Sequence, residues 1–412
     1  MVGHDADDAL RDHLVQRAHA HLLVMNAGSS SIRFAAYQPG DPPVRRLTGK
    51  IDRVGAHGTT LTFDDTDRNE RDSRGTGDLD RRTAPPFLLD WLEERIALSS
   101  LAAIGHRIVH GGASYSEPQR ITPALLNELR RISVYAPEHL PFEIALIDLL
   151  RERAPGLVQF ACFDTAFHRD MPRVARIVPI PRRFYAGGIE RFGFHGLSYA
   201  FLMDELQRVA GTTAAEGRVI LAHLGNGSSL AAVRSGKSID TSMGLTPAGG
   251  VPMGTRSGDL DPGLTCSLAH REQMTAEQFH HMVNHESGLL GVSETSADVR
   301  DLLERAVNDV RAAEALALFC YQVKKCIGAY AAALGGLETL VFTGGIGENA
   351  PTIRARVCED LDFLGIQLDA ASNESGTPVI SAAGSRVEVR VIRTDEEVMI
   401  AKAGFALIGA AA

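Results

Sequence analysis

The chain has 412 residues, 44% hydrophobic and 23% charged, with a net charge of −9. That length exceeds one ordinary core and predicts two domains, while the acidic balance argues against a nucleic-acid surface. Five cysteines without a CxxC pair imply neither a zinc site nor a disulfide framework; buried reduced thiols are expected. The 40 glycines form no tract and point to tight turns. No stretch reaches the roughly 18 uninterrupted apolar residues of a membrane span. Residues 1–20 carry Asp5, Asp7, Asp8 and Asp12 without an apolar segment, so a polar extension is expected rather than a secretory signal, and a cytoplasmic location follows.

In chain order, Leu22 to Met25 and Ile32 to Tyr37 read as strands joined by the small-residue turn Asn26 to Ser31, a hairpin. Residues 64–83 are charged and glycine-containing and predict a surface loop. Helical periodicity falls around 86–98, 123–132 and 139–152, and Leu157 to Phe163 reads as a buried strand. The hairpin pattern returns at Val219 to Leu224 and Leu230 to Val233 around Gly225-Asn226-Gly227-Ser228-Ser229. The echo suggests an internal duplication. Leu316, Phe319, Cys320, Val323, Ile327, Tyr330 and Leu334 recur at helical spacing. The strand Thr339 to Phe342 feeds a glycine-rich loop, Thr343 to Asn349. A last strand, Val387 to Ile392, precedes a helix from about 395.

Small-residue turns gather backbone N–H groups that can hold a phosphate, although an ordinary hairpin turn explains either one alone. An acidic protein with an anionic ligand must concentrate positive charge locally. Arg256, pinned in Gly254-Thr255-Arg256-Ser257-Gly258, and Arg107, in Gly105 to Gly112, have a fork that suits phosphate or carboxylate. Asp164 stands just past a strand, where ligands of open α/β sheets gather. His195, between Phe194 and Gly196, reads by itself more readily as a satisfied core histidine than as a functional one. Thr394 and Glu397 stand at capping-box spacing, leaving Glu396 for a magnesium ion.

With these residues in place the chain resembles the acetate and propionate kinase family. The motifs are NAGSSS, GHRIVHGG, FDTAFH, FGFHGLS, HLGNGSS, DTSMGLTP, MGTRSGDLDP, ESGLLGVS, TGGIGENA and TDEEVMIA, in that order, from about Val24 to Lys402. The resemblance implies an α/β fold of two actin-like, sugar-kinase or Hsp70-like domains (a duplicated ribonuclease H-like unit) with an interdomain cleft. The domains would be 21–168 with 398–412, and 169–397. It implies a homodimer acting on a small carboxylate and a nucleotide, with ATP or ADP and Mg2+ or Mn2+, and neither a nucleic acid nor a membrane partner. Carried over by position, Arg107, Asp164, His195 and Arg256 are catalytic, and Asn26, Asp164 and Glu396 hold the metal. Arg107, Val109, His139, Phe194 and Pro247 bind the acid. Ser29, Ser31, Arg33, His223, Asn226, Gly227, Asp298, Arg300, Gly344, Gly345, Ile346, Gly347 and Asn349 bind the nucleotide.

Phosphoryl transfer through a loose transition state asks the protein mainly to position groups and neutralise charge. A carboxylate is already a nucleophile, so His195 suits a hydrogen-bond donor better than a base. The chain departs from the family at Arg33, where lysine is usual, at Gly249, where glutamate is common, and at Glu138 and Leu140, where leucine and asparagine are usual. An ionised Glu138 near the acid pocket would repel a carboxylate unless it finds a partner. Acetate is the expected acid; propionate or another short acid is the alternative, and a non-catalytic ATP-dependent clamp is the reading from another class.

Overall fold

The computed structural model describes residues 21–28 and 30–409, so the expected 1–20 extension and Ser29 lie outside the described residues. The chain divides into two compact units: the part up to Ala166 with the part from Asp395 onward, and Phe167–Thr394. Both are mixed α/β, the class expected. No helix among the described residues is long and apolar enough to cross a membrane.

The first unit holds an eight-stranded sheet. Its strands are β1 (Leu22–Ala27), β2 (Ser31–Gln38), β3 (Val44–Asp52), β4 (Thr59–Asp65), β5 (Glu70–Gly77), β6 (Ala103–Ile108), β7 (Gln119–Arg120) and β8 (Gln159–Phe163), in spatial order 5-4-3-2-1-6-8-7. β1 and β2 form the expected antiparallel hairpin, with Asn26 opposite Arg33. β1, β6 and β8 run parallel. Strands buried on both faces read as continuous apolar runs, and all six residues of β1 are buried.

Within the expected loop at 64–83, residues 70–77 instead form the strand β5, paired antiparallel with β4, with turns on either side. Its sequence, ERDSRGTG, is exposed along an edge, so no buried face imposes the apolar alternation that marks a strand. The expected helices appear as Ala84–Glu93, Pro123–Ile132 and Leu140–Arg153. The C-terminal helix Glu396–Gly409 packs on β1 and β6. Gly404 makes that approach possible: a Cβ there would stand 2.3 Å from Leu22 and 2.4 Å from Phe160.

The second unit holds a five-stranded sheet of β9 (Arg218–Leu224), β10 (Ser228–Arg234), β11 (Lys237–Thr241), β12 (Thr339–Thr343) and β13 (Glu388–Val391), in order 11-10-9-12-13. β9 and β10 are the second hairpin; β9, β12 and β13 run parallel. Helix Val310–Leu334 lays its buried stripe of Leu316, Phe319, Val323 and Ile327 against β9 and β10. Asp309 caps its start, and Gly335 at φ 72° ends it in the left-handed conformation. The segment expected as the loop Thr343 to Asn349 is corrected: after Thr343 it winds straight into a short helix, Gly344–Asn349. All five cysteines are free, and Cys162, Cys320 and Cys358 are buried as expected. Cys266 is exposed, on helix Pro262–Arg271, none of whose residues is buried.

Candidate functional site

In the first unit the candidate residues collect where adjacent parallel strands end. β1 ends near Asn26, β6 near Arg107, and β8 runs directly into Asp164. The parallel register sets Arg107 beside Cys162 and Ile108 beside Phe163, so Asp164 emerges next to Arg107. C-terminal strand ends are where open α/β sheets gather ligands. Alternation along β6 sends His106 to the other face, where it bonds Gln159 at 2.7 Å.

Arg107 donates from Nε and Nη2 to Asp164 Oδ2, at 3.0 and 2.5 Å. Its Nη1 donates to the Ala27 carbonyl at 3.4 Å and lies 3.6 Å from Glu143 Oε1. Burial works against the guanidinium charge, but Asp164, Glu396 and Glu143 outweigh it and hold the group above its ordinary range. Asn26 Nδ2 donates to Glu396 Oε2 at 2.9 Å and to Glu397 Oε1 at 2.8 Å. Burial, then the Glu396 charge, pushes the Glu397 carboxyl upward, while Arg33 pulls it down.

The capping box expected at Thr394–Glu397 does not form. Asp395 caps the helix, accepting from the Val398 amide at 3.1 Å, and Glu397 turns to Asn26 instead. Thr394 is occupied elsewhere, its hydroxyl donating to Ser198 at 2.8 Å. The spacing was right for a box, but the helix begins one residue later, so Asp395 serves the Val398 amide and the Thr394 amide goes to Glu348 Oε1 at 3.3 Å. Val109 is buried, and His139 is buried immediately before helix Leu140–Arg153. Glu138 has a partner: its Oε2 lies 3.8 Å from Arg81 Nη1. Ser31 and Arg33 stand on β2, Arg33 exposed.

The second unit gathers its candidates around the Gly225–Gly227 turn. His195, at φ 58°, directly precedes helix Gly196–Ala210. Its Nδ1 bonds the Ser229 hydroxyl at 2.9 Å, and Tyr199 bonds the same hydroxyl at 2.5 Å. The ring stacks on His223 at 4.1 Å, and His223 Nδ1 bonds Ser198 at 2.9 Å. A Cβ on Gly227 would stand 3.1 Å from Arg256 Nη2 and 3.5 Å from His195 Nε2, so the bare turn admits both groups. Arg256 Nη1 donates to the Pro247 carbonyl at 2.6 Å.

Gly254 approaches the other flank, where a Cβ would stand 2.4 Å from Asn226 Oδ1 and 3.3 Å from the Ala297 carbonyl. Asp298 follows, capping helix Val299–Arg305 and binding the Arg300 side chain. Gly344, at φ 78°, would drive a Cβ to 2.6 Å from the Leu224 carbonyl. Asn349 donates to the Gly345 carbonyl at 2.9 Å, while Ile346 and Gly347 complete the short helix. Phe194 is buried, and its carbonyl receives His168 Nε2 at 3.1 Å.

For a metal, the first unit offers oxygen donors only: Asp164, Glu396 and the Asn26 amide. Among the described residues no group of three or more His, Cys, Asp or Glu is gathered to cage an ion. That donor set fits Mg2+, which keeps its waters and leans on one or two carboxylates plus phosphate oxygens.

Sequence reasoning missed Glu143, Ser229, Tyr199 and Glu348. Glu143 was findable: Leu140, Glu143, Ile144 and Ile147 follow helical spacing, which places an acid on a buried face. Glu348 caps its own short helix, accepting from the Gly344 amide at 3.0 Å.

An acetate kinase of Rhodopseudomonas palustris (strain TIE-1) is 44% identical over 92% of this chain and 96% of its own. A propionate kinase of Citrobacter rodentium is 42% identical over 92% of this chain and 95% of its own. The crystal structure of Porphyromonas gingivalis acetate kinase superposes with a TM-score of 0.82, at 36% identity, covering 94% of this chain and all of that one. Residues 21–402 match the model of the acetokinase family, and the chain belongs to that family.

Proposed function

We propose that this chain transfers the γ-phosphoryl group of ATP to acetate, reversibly, giving acetyl phosphate and ADP. The observation that carries the reading is the Arg107–Asp164 pair, with Asn26 and Glu396, at neighbouring parallel strand ends. A carboxylate oxygen forms a bond to the γ-phosphorus, the bond to the β-bridging oxygen breaks, and ADP leaves with that electron pair. The nucleophile is anionic already, so the protein's work is orientation and charge neutralisation. Arg107 and Arg256 neutralise the transferring group. His195, oriented through Nδ1 by Ser229, donates to it. Val109, His139, Phe194 and Pro247 shape the acid site. Ser29, Ser31, Arg33, His223, Asn226, Gly227, Asp298, Arg300, Gly344, Gly345, Ile346, Gly347 and Asn349 serve the nucleotide.

Asp164, Glu396 and Asn26 would hold Mg2+ (or Mn2+), which when bound would supply positive charge to the phosphate oxygens. The two compact units serve as the two domains, and the family resemblance supports a cytoplasmic homodimer, checked by sedimentation. Propionate is the second reading, favoured by the 42% identity to a propionate kinase. Hydroxylamine trapping of the acyl phosphate, with ATP and Mg2+ across formate, acetate, propionate and butyrate, tests both. The greatest kcat/KM on acetate is expected. The absence of any ATP-dependent hydroxamate overturns the reading.

A further inference from the structure

The catalytic assignment leaves one enclosed acid without a task. Glu143 lies in the first turn of helix Leu140–Arg153 with a side chain only 1% exposed. Its two oxygens face different residues of one strand end. Oε2 accepts the Val109 backbone N–H at 3.0 Å, and Oε1 lies 3.6 Å from Arg107 Nη1. The Val109 amide falls just beyond β6, where the ladder to β8 has ended at Ile108 and Phe163. A side chain therefore takes the place of the missing strand partner. Asp164 already occupies the Nε and Nη2 edge of Arg107, and Glu143 lies 3.6 Å from the remaining nitrogen, Nη1, with the Glu396 charge also acting on the group.

We propose that Glu143 is a positioning residue for phosphoryl transfer, its Oε1 setting the Arg107 guanidinium and its Oε2 setting the Val109 wall of the acid site. The proposal rests on the assignment of Arg107 to the transferring phosphoryl. The competing account makes Glu143 a filler that satisfies one buried amide. Glutamine separates the two. Its carbonyl can still accept from Val109, but its amide presents N–H groups to the N–H groups of Arg107. A filler tolerates that exchange; a residue that places Arg107 does not. Leucine removes both contacts.

The variants are assayed at pH 9, above the value of about 8 to which burial raises this carboxyl, so that the wild type carries the ionised acid. Glu143→Gln is expected to lower kcat about tenfold, with KM for acetate and for ATP within about twofold of wild type. Glu143→Leu is expected to lower kcat similarly and also raise KM for acetate about tenfold, leaving KM for ATP unchanged. Arg107→Ala with Glu143→Gln should be no slower than Arg107→Ala alone, because one contact is removed twice. Wild-type kcat in folded Glu143→Gln, or full additivity in the double variant, overturns the proposal while the Arg107 assignment stands. Wild-type turnover in Arg107→Ala overturns both. If Glu143→Leu does not fold, the glutamine variant and the double variant still decide.

Discussion

Replacing Glu143 with glutamine should also shift the stability of the first unit in the variant's favour by an amount that grows with pH. Burial raises this carboxyl from 4.5 to about 8; Arg107 and the Val109 amide pull it down, and Asp164 adds to the rise. The folded protein thus holds the proton more tightly than the unfolded chain does. Stability from this group is full below pH 4.5 and is lost as pH rises through about 8. At 1.36 kcal/mol per tenfold change in acidity, the whole loss is about 5 kcal/mol. Glutamine has no proton to lose, so its unfolding free energy escapes this decline. Any constant penalty from facing Arg107 shifts the curve without tilting it. The chain's single tryptophan, Trp91, is buried in the first unit, so its fluorescence during urea unfolding reports on the unit that contains Glu143. The difference between variant and wild type should grow by several kcal/mol between pH 5 and pH 9. A difference independent of pH refutes the reasoning.

Arg107→Ala and Arg256→Ala should each lower kcat by about 10² or more, since each removes preorganised charge; steady-state kinetics of the folded variants checks this. Asp395→Ala should cost about 1 kcal/mol as a lost cap, whereas Glu396→Ala should weaken Mg2+ dependence; thermal melts and Mg2+ titrations separate them. Burial lowers His106 and His168 to about 4, so each contributes stability that is full above pH 6.5 and lost as pH falls through about 4, about 3 kcal/mol apiece. Melting temperatures from pH 7 to pH 4 should therefore fall, less steeply in His106→Gln. Glu138 is paired with Arg81, so Glu138→Leu should leave KM for acetate within about threefold, while Arg81→Ala should raise it; measuring both tests whether the pair screens the acid's charge.

Where burial is two-sided or strictly periodic, the residues announce their elements. β1 and the helix Val310–Leu334 were legible because nearly every inward position is apolar. β5 was not, because its stability comes from pairing with β4 rather than from a buried face. The small-residue turns were legible as such, and Arg107, Arg256 and Asp164 stood out as candidates through their setting and the motif match. The partners that orient them were harder to see. Ser229 bonds His195 across 34 positions, and Glu143 reaches Val109 across the same separation, and spacing in sequence says nothing about such pairs. The cap at Asp395 shows a local limit: two candidate residues stood side by side, and only geometry chose between them.

The C-terminal helix has a consequence for biosynthesis. Its Gly404 and Ile400 cover Leu22, Gly105 and Phe160, which the ribosome makes hundreds of residues earlier. The second unit has its whole sequence once Thr394 emerges, but the first lacks a face until the helix after it has been translated. At roughly 5–20 residues per second the nascent sheet waits on the order of tens of seconds with β1 and β6 uncovered. The half of the protein translated first is the half completed last, and in that interval its apolar face stands bare.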